Sequence, residues 1–348
     1  MKKLLFLILL LIPFSIKAID TNATSAILLD QDSKRILYAK DIHNVRSVAS
    51  ISKIMTAIVA IENGKLNKKI TIGDEIDGAY GSGIYIKKGE KLTLEDLLYG
   101  LMLRSGNDAA LAIAHHVGGD VDKFVDMMNE LAKKIGMKNS NFNNPSGLDT
   151  DKGNYSSAYD MALLTSYAMK NDTYKKIVKT KKYVLKTNKN TYVWHNKNKL
   201  LKQYEYTTGG KTGFTQKARR TLVTTASKNK LNLVAVTLND GNDFADHKNL
   251  FEYGFDNYEK KLILKKGYLK IDGENYYDKQ KLYVKKNFYY PLSVNEEESI
   301  SIEYKLVKKR SYKNGTKVGE AIISLGDKEI HKENIYVEKK SKKKSLFW

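Results

Sequence analysis

Residues 50–64, with the sequence SISKIMTAIVAIENG, place apolar side chains at helical spacing and end on Gly64, a residue type that commonly terminates helices. This spacing predicts a buried helix over residues 50–63. Two short strands are predicted on each side of the surrounding helical region, at residues 25–29, 35–39, 220–227 and 231–238. The predicted strands thus form one pair before and one pair after a segment that is mostly helical. This order indicates an α+β fold, in which one antiparallel sheet is flanked by helices.

Further helices are predicted between the two strand pairs. Thr93 is expected to cap one of them, because Asp96 stands at the capping-box position three residues later. The helical pattern recurs at residues 107–117, 121–135 and 159–169, and Gly136 is expected to end the second of these helices.

The pattern of residue types in the sequence changes after about residue 258. Helical spacing disappears there, and short Tyr- and Lys-rich runs at 282–284, 300–306 and 320–324 alternate with turn signals. We therefore predict a large α+β domain at residues 19–257, a small all-β domain at 258–337 and a basic tail at 338–348.

The first eighteen residues have the pattern of a signal peptide. Lys2 and Lys3 precede an apolar run at residues 4–12, and Ala18 is a small residue suited to cleavage. The run is shorter than the ~20 apolar residues that span a bilayer. We expect an exported protein, in the periplasm or at the outer face of the cytoplasmic membrane, with an uncleaved N-terminal anchor as the alternative.

Composition excludes several classes of protein. The 348-residue chain contains no Cys, which rules out disulfides, thiolate metal sites and a Cys nucleophile. Its 60 Lys and Arg against 39 Asp and Glu give a formal net charge of +21. Because the lysines are spread along the chain, we predict no nucleic-acid partner; the charge suits an anionic wall or lipid surface, or reflects a general lysine bias.

The basic tail is the best indication of a membrane contact. Five lysines in residues 339–344 precede Leu346, Phe347 and Trp348. Lysines near anionic lipid contribute about 1 kcal/mol each, and the apolar end can enter the interface. We predict a peripheral membrane contact through this tail, with a solvated terminus as the alternative.

The first motif that could carry chemistry is Ser50-Ile51-Ser52-Lys53. On a helix, Ser50 and Lys53 lie about one turn apart on one face. A Lys that is held neutral by burial or by another cation can take the proton of a Ser hydroxyl and so activate it as a nucleophile. The alternative is that Ser50 only caps the helix.

Two other short motifs could complete a site. Ser105-Gly106-Asn107 could place a hydroxyl and an amide beside the first motif, although a helix cap would look the same. In Gly210-Lys211-Thr212-Gly213 the glycines allow close approach to a strand edge, where Lys211 offers a cation and Thr212 a hydroxyl. The alternative here is a glycine-rich turn that leads into a strand.

The order S-x-x-K, S-G-N, K-T-G resembles that of penicillin-binding proteins and β-lactamases. Residues 83–118, 124–148 and 209–223 extend the likeness, and together they resemble the low-molecular-weight penicillin-binding proteins, the serine-type D-alanyl-D-alanine carboxypeptidases. The resemblance covers roughly residues 24–256. It implies a β-lactamase/transpeptidase-like fold, followed by a small β domain. That domain matches the family only in its general residue pattern and in its position in the chain.

The resemblance implies a role for each residue of the first two motifs. Ser50 would be the acylated nucleophile and Lys53 its general base. Ser105 would relay a proton to the leaving D-alanine. Asn107 would orient Lys53 and the substrate amide.

The resemblance also implies the substrate-binding residues. Lys211 and Thr212 would hold the free carboxylate of the terminal D-alanine, and the cation of Lys211 would disfavour a proton on Lys53. The backbone N–H groups of Ser50 and Phe214 would form an oxyanion hole beside Gly213. Lys197 would be a second basic contact.

The function implied is removal of the terminal D-alanine from peptidoglycan peptides ending in D-Ala-D-Ala, with β-lactams as covalent inhibitors. A β-lactamase-like hydrolase and a non-catalytic penicillin-binding wall sensor are the alternatives. None of the six histidines has the HExxH spacing, so we predict no metal and no cofactor. The chain departs from the family at Ser146, where many relatives have His, and at Phe214 and Arg219.

Overall fold

The structure, a computed structural model, describes residues 19–149, 152–277 and 279–338. The predicted signal peptide at 1–18 and residues 339–348 of the predicted tail lie outside the described residues. Within the described part of the chain, no helix combines the length and apolarity needed to cross a bilayer.

The described helices occur almost entirely between the two predicted strand pairs. Their bounds are α1 Lys53–Asn63, α2 Leu94–Tyr99, α3 Asn107–Gly118, α4 Val121–Ile135, α5 Ala158–Ala168, α6 Asp172–Lys179, α7 Leu200–Gln203 and α8 Asp243–Asn257.

The described strands occur in both halves of the chain. Those before residue 258 are β1 Ser25–Asp30, β2 Ile36–Lys40, β3 Arg46–Ser47, β4 Lys69–Thr71, β5 Lys91–Thr93, β6 Tyr155–Ser156, β7 Lys182–Lys186, β8 Thr191–His195, β9 Thr207–Thr215, β10 Arg219–Lys228 and β11 Leu231–Leu238. Those after it are β12 Glu259–Leu264, β13 Gly267–Leu269, β14 Lys281–Val284, β15 Phe288–Leu292, β16 Ile300–Leu306, β17 Thr316–Leu325 and β18 Lys328–Glu338.

A five-stranded antiparallel sheet organises the larger domain, with strand order β2-β1-β11-β10-β9. Ser25 in β1 stands opposite Leu238 in β11, so strands from the two ends of the domain are neighbours. This is the antiparallel sheet flanked by helices that the sequence predicts.

The sheet separates two apolar cores because successive residues of a strand face opposite sides. Val234 and Val236 of β11 pack in a core with α1, α3 and α5. Leu233 and Ala235 of the same strand face the second core, where they meet the apolar side of α8. β11 is therefore covered on both faces, which explains its nearly continuous apolar sequence.

The start of α1 differs from the prediction. A 3₁₀ turn over Ala49–Ser52 precedes the α-helix, and the residue at its N-cap position is Val48. The interpretation of Ser50 as an N-cap is therefore wrong. Lys53 and the seven residues that follow it are all buried, and the apolar ones among them belong to the first core.

The small C-terminal domain is a second antiparallel sheet with strand order β13-β14-β18-β17-β16. Its core is formed by residues on β14, β17 and β18, including Val284, Ile323 and Ile335. The predicted runs 282–284, 300–306 and 320–324 all lie within its strands.

Arg35, which precedes β2, connects the two domains. Its guanidinium carbon lies 5.1 Å from the ring centroids of both Tyr258 and Tyr290. Its side chain donates to the carbonyl of Pro291 at 2.5 Å and pairs with Glu296. One half-buried arginine that stacks against two tyrosines thus contributes to the attachment of the small domain, together with the ion pair between Asp32 and Lys260.

Candidate active site

Ser50 and Lys53 are brought together where the 3₁₀ turn joins α1. Lys53 Nζ lies 3.2 Å from Ser50 Oγ. It also donates to Asn107 Oδ1 at 2.7 Å and to the carbonyl oxygen of Ser146. A neutral amine has two N–H donors and one lone pair. It can therefore keep Asn107 and Ser146 as partners while its lone pair accepts the proton of Ser50.

The charge of Lys53 is disfavoured in this position. Its side chain is 0% exposed. The pKa of Lys53 is lowered to about 7, first by burial and then by the cation of Lys197, while Asp108 acts in the opposite direction. The resemblance implies such an effect from Lys211, and the charges of Lys53 and Lys211 do oppose each other. Lys197 is a second neighbouring cation that lowers the pKa of Lys53, and a substantial fraction of Lys53 is neutral near pH 7.

Ser105 and Asn107 lie on the connection between α2 and α3. A π-helical turn over Gly100–Arg104 follows α2, a feature that often marks functional sites. Ser105 comes next with φ 66°, a left-handed backbone that non-glycine residues seldom adopt. Asn107 begins α3, and its Nδ2 donates to the carbonyl of Tyr80 at 2.6 Å. Its other amide atom, Oδ1, is thereby directed at Lys53.

The third motif lies inside edge strand β9 rather than before a strand. Lys211 stands opposite Val223 of β10 and is 1% exposed. Its Nζ donates to Ser105 Oγ at 3.0 Å and to the carbonyl of Thr212 at 2.6 Å. Burial first, and then the cations of Lys53 and Lys197, lower the pKa of Lys211 well below its usual value.

The three motifs therefore meet at one cleft of about 320 Å³. Five of the eight predicted site residues line it: Ser50, Ser105, Thr212, Gly213 and Phe214. The other three, Lys53, Asn107 and Lys211, are buried and hydrogen-bonded to one another or to the cleft serines. Lys197 also lines the cleft, and its Nζ lies 3.3 Å from Ser82 Oγ.

Several cleft residues were not identified from the sequence. Ser82, Lys199, Arg220, Asp243 and Phe244 complete the lining. Arg220 pairs with the buried Asp243 at 2.5 Å, and its guanidinium carbon lies 5.6 Å from the ring centroid of Phe244. No motif marks these residues, because they converge from β10, α8, the loop at Ser82 and the residue before α7 only when the domain folds.

Ser146, one of the departures from the family, also contacts the site. The contact with Lys53 is made by its carbonyl oxygen, so it does not depend on the type of side chain. Gly147 follows with φ 76°. A Cβ at Gly147 would lie 2.1 Å from the carbonyl oxygen of Ala49, next to Ser50, so glycine is required for this close approach.

The family profile described as D-alanyl-D-alanine carboxypeptidase, of peptidase family S11, matches residues 13–242 of the chain. The chain belongs to this family. A second profile, that of the C-terminal domain of penicillin-binding protein 5, matches residues 258–343. The family predicted from the three motifs is confirmed, and with it the prediction of a peptidase.

Curated relatives of this S11 peptidase bear the same family name. The D-alanyl-D-alanine carboxypeptidase DacF of Bacillus subtilis is 34% identical over 256 residues, which are 70% of this chain and 65% of that protein. DacA of Haemophilus influenzae is 30% identical over 346 residues, which are 93% of this chain and 86% of that protein. The matched part of the chain thus spans just under two thirds of the first relative and most of the second.

Solved structures similar to this S11 peptidase extend over both domains. Penicillin-binding protein 5 from Haemophilus influenzae is 26% identical with a TM-score of 0.78, covering 92% of this chain and 98% of that one. DacD from Francisella tularensis is 26% identical with a TM-score of 0.73, covering 92% and 93%. The predicted fold class, a transpeptidase-like α+β domain followed by a small β domain, is confirmed.

Proposed function

We propose that this S11 family member is a serine D-alanyl-D-alanine carboxypeptidase, which removes the terminal D-alanine of peptidoglycan stem peptides through an acyl-enzyme on Ser50. The contact that supports this most directly is the 3.2 Å distance between Lys53 Nζ and Ser50 Oγ. Because the pKa of Lys53 is about 7, a neutral amine is available to the hydroxyl near neutral pH.

In the acylation step, Ser50 Oγ attacks the carbonyl carbon of the penultimate D-alanine and passes its proton to Lys53 Nζ. The C–N bond to the terminal D-alanine then breaks. Ser105 Oγ, held by Lys211 at 3.0 Å, delivers a proton to the leaving nitrogen and recovers one from the charged Lys53, which becomes neutral again. Free D-alanine departs and an ester remains on Ser50. Water hydrolyses this ester and restores the hydroxyl.

The specificity for a chain end would come from recognition of the free carboxylate. Lys211 and Thr212 lie on the strand beside Ser50, and Thr212 lines the cleft. A peptide bond continued beyond this point would present no negative charge to them. The backbone N–H groups of Ser50 and Phe214 would stabilise the oxyanion, and each such donor typically contributes about 3–4 kcal/mol.

The same site would be acylated by β-lactams, because their strained amide presents a carbonyl to Ser50 in the same way. We further propose that the protein is exported and acts in the periplasm or at the outer face of the cytoplasmic membrane. The tail at 339–348 would provide a peripheral membrane contact. Equal binding of the full chain and of a chain lacking residues 339–348 to anionic liposomes would contradict the membrane contact.

The test of the reaction is release of D-alanine from a stem peptide that ends in D-Ala-D-Ala. Ser50→Ala is expected to abolish both this release and covalent labelling by penicillin. Ser227→Ala is the matched control, since Ser227 and Lys230 have the same S-x-x-K spacing at a hairpin. It is expected to retain both activities.

Other outcomes distinguish the alternatives. Rapid hydrolysis of penicillin without release of D-alanine would indicate a β-lactamase-like enzyme. A stable acyl adduct with neither activity would indicate a penicillin-binding sensor. Labelling of the Ser50→Ala protein at another serine would contradict the assignment of the nucleophile.

A further inference from the structure

A second concave surface lies on the α+β domain, outside the catalytic cleft. It consists of two adjoining cavities of about 600 and 730 Å³, which share Lys179 as a lining residue. Thr208 lines the first cavity and Thr207 the second, so both open beside the start of β9. We name these two cavities together the lysine groove.

The lysine groove is rich in cations that the protein does not neutralise. Five of its lysines form no ion pair within the described residues: Lys170, Lys179, Lys181, Lys202 and Lys248. Two more pair with carboxylates, Lys175 with Asp172 and Lys176 with Glu95. All seven are exposed, so their ammonium groups remain accessible to a ligand.

Lysines clearly outnumber the acidic residues that line the groove, which are Asp32, Glu205 and Glu252. Asp32 is already paired with Lys260. The positive potential also reaches Lys34, whose pKa is lowered to about 8, first by burial and then by Lys170. An anion bound in the groove would relieve this repulsion.

We propose that the lysine groove binds a linear phosphodiester polymer, such as a poly(glycerol phosphate) chain. Each phosphodiester carries one negative charge, and the unpaired lysines Lys170, Lys179 and Lys202 distribute positive charge over the two cavities. Lysine binds phosphate as a point charge, whereas the planar carboxylate favours the forked guanidinium of arginine.

Binding there would hold the enzyme on an anionic polymer without occupying the cleft. Thr208 and Thr212 are four residues apart on β9, a separation of about 13 Å along the strand. Thr212 lines the cleft and Thr208 lines the groove. The polymer would therefore raise the local concentration of the enzyme at the wall, while the chemistry at Ser50 would be unaffected.

The test measures binding of a fluorescent synthetic glycerol phosphate oligomer to the full chain by anisotropy. The groove variant carries Lys170→Gln, Lys179→Gln and Lys202→Gln, all at exposed positions. The control carries Lys265→Gln, Lys266→Gln and Lys286→Gln, three exposed lysines of the C-terminal domain. Both variants have the same net charge. The groove variant is expected to lose about tenfold or more in affinity, with a shallower salt dependence, and the control to stay within about twofold.

Three outcomes would overturn the proposal. The two triple variants could lose affinity equally, which would assign binding to the overall charge. Poly-glutamate of equal charge could bind as tightly, which would remove the preference for phosphate. An RNA oligonucleotide of equal charge could bind more tightly, which would indicate a nucleic-acid site. D-alanine release from a short peptide is expected to be equal in parent and variants, so this binding test is independent of the proposed reaction.

Discussion

Gly213 lies directly against the backbone amide of Ser50. A Cβ added to Gly213 would be 3.1 Å from Ser50 N and 2.4 Å from Thr221 Oγ1. Thr221 Oγ1 in turn donates to the carbonyl of Val48 at 3.0 Å. The edge strand β9 can therefore approach the start of the helix only because residue 213 has no side chain, and this places the strand beside the Ser50 amide.

Gly213→Ala is therefore expected to reduce the rate of acylation by penicillin about 100-fold. The added methyl group displaces Thr221 or β9 and obstructs the amide, and loss of one oxyanion donor typically has an effect of this size. Gly241→Ala is the matched control, since a Cβ there would meet nothing within 4 Å. Equal acylation rates in the two variants would contradict the role of the Ser50 amide.

The rate of acylation is expected to rise as the pH increases through about 7 and then to level off. Only neutral Lys53 can accept the proton of Ser50, and the pKa of Lys53 is about 7. Lys197→Gln removes the second cause of the low pKa, so it is expected to shift the midpoint of the profile to higher pH. The measurement is the penicillin acylation rate across pH; a Lys197→Gln midpoint at or below that of the parent would argue against this electrostatic coupling.

Asn107→Ala is expected to slow acylation about 10- to 100-fold. Asn107 Oδ1 accepts a hydrogen bond from Lys53 at 2.7 Å, and its loss leaves a buried amine without one of its partners, a cost of about 1–3 kcal/mol. Asn107→Asp is the informative comparison. Its carboxylate retains the acceptor but favours the charged form of Lys53, so the midpoint of the acylation profile is expected to move to higher pH. A midpoint unchanged in Asn107→Asp would be incompatible with this contact.

His247 is expected to contribute to acid unfolding. It is 0% exposed between Thr224 and Thr237, and burial lowers its pKa to about 3. Between pH 6.5 and 3 the unfolded chain binds a proton at His247 and the folded chain does not, so the free energy of unfolding falls as the pH falls, by about 1.4 kcal/mol per pH unit. His247→Gln keeps hydrogen-bonding groups and cannot take up the proton.

The measurement for His247 is the free energy of unfolding of parent and His247→Gln by chemical denaturation from pH 7 to pH 3. The advantage of the parent over the variant is expected to shrink as the pH falls. His115→Gln, at the exposed end of α3, provides a control for loss of one histidine. A constant difference between parent and His247→Gln would mean that this group does not drive the pH dependence.

Arg35→Ala is expected to loosen the attachment of the small domain. The variant loses the stacking on Tyr258 and Tyr290 together with the contacts to Pro291 and Glu296, and each cation–π contact is worth about 0.5–2 kcal/mol. We expect thermal unfolding to separate into two transitions, while cleavage of a short peptide is retained. Arg310→Ala, an exposed arginine of the small domain, serves as the control. A single transition at the temperature of the parent would show that other contacts hold the domains together.

The elements that the sequence predicted well are those encoded within a few neighbouring residues. The predicted capping box forms, with Asp96 N donating to Thr93 Oγ1 at 3.1 Å. The helix predicted at 121–135 is α4, Val121–Ile135, and Gly136 ends it in a left-handed conformation. Caps, apolar periodicity and turn residues act locally, so they can be recognised without knowledge of the fold.

The elements that were predicted wrongly from the sequence depend on contacts with residues that are distant in the chain. The three glycines of TTGGKTGFT suggested a turn, yet the segment forms β9 because β10 offers it an edge of hydrogen-bonding groups. The π-helical turn before Ser105 was likewise not indicated, and Ser50 was placed in an α-helix although it occupies a 3₁₀ turn. Pairing and packing override local preference at these positions.

The amino-acid sequence alone determined the order of the three motifs and the three-residue spacing of Ser50 and Lys53, which sets them about one turn apart. Only the tertiary structure decided that Lys53 and Lys211 are both buried, that Lys197 also lowers the pKa of Lys53, and that Arg220 faces the same cleft. Burial and electrostatic repulsion depend on the distances between groups that are far apart in the chain. Those distances are set only when the sheet and its helices pack together.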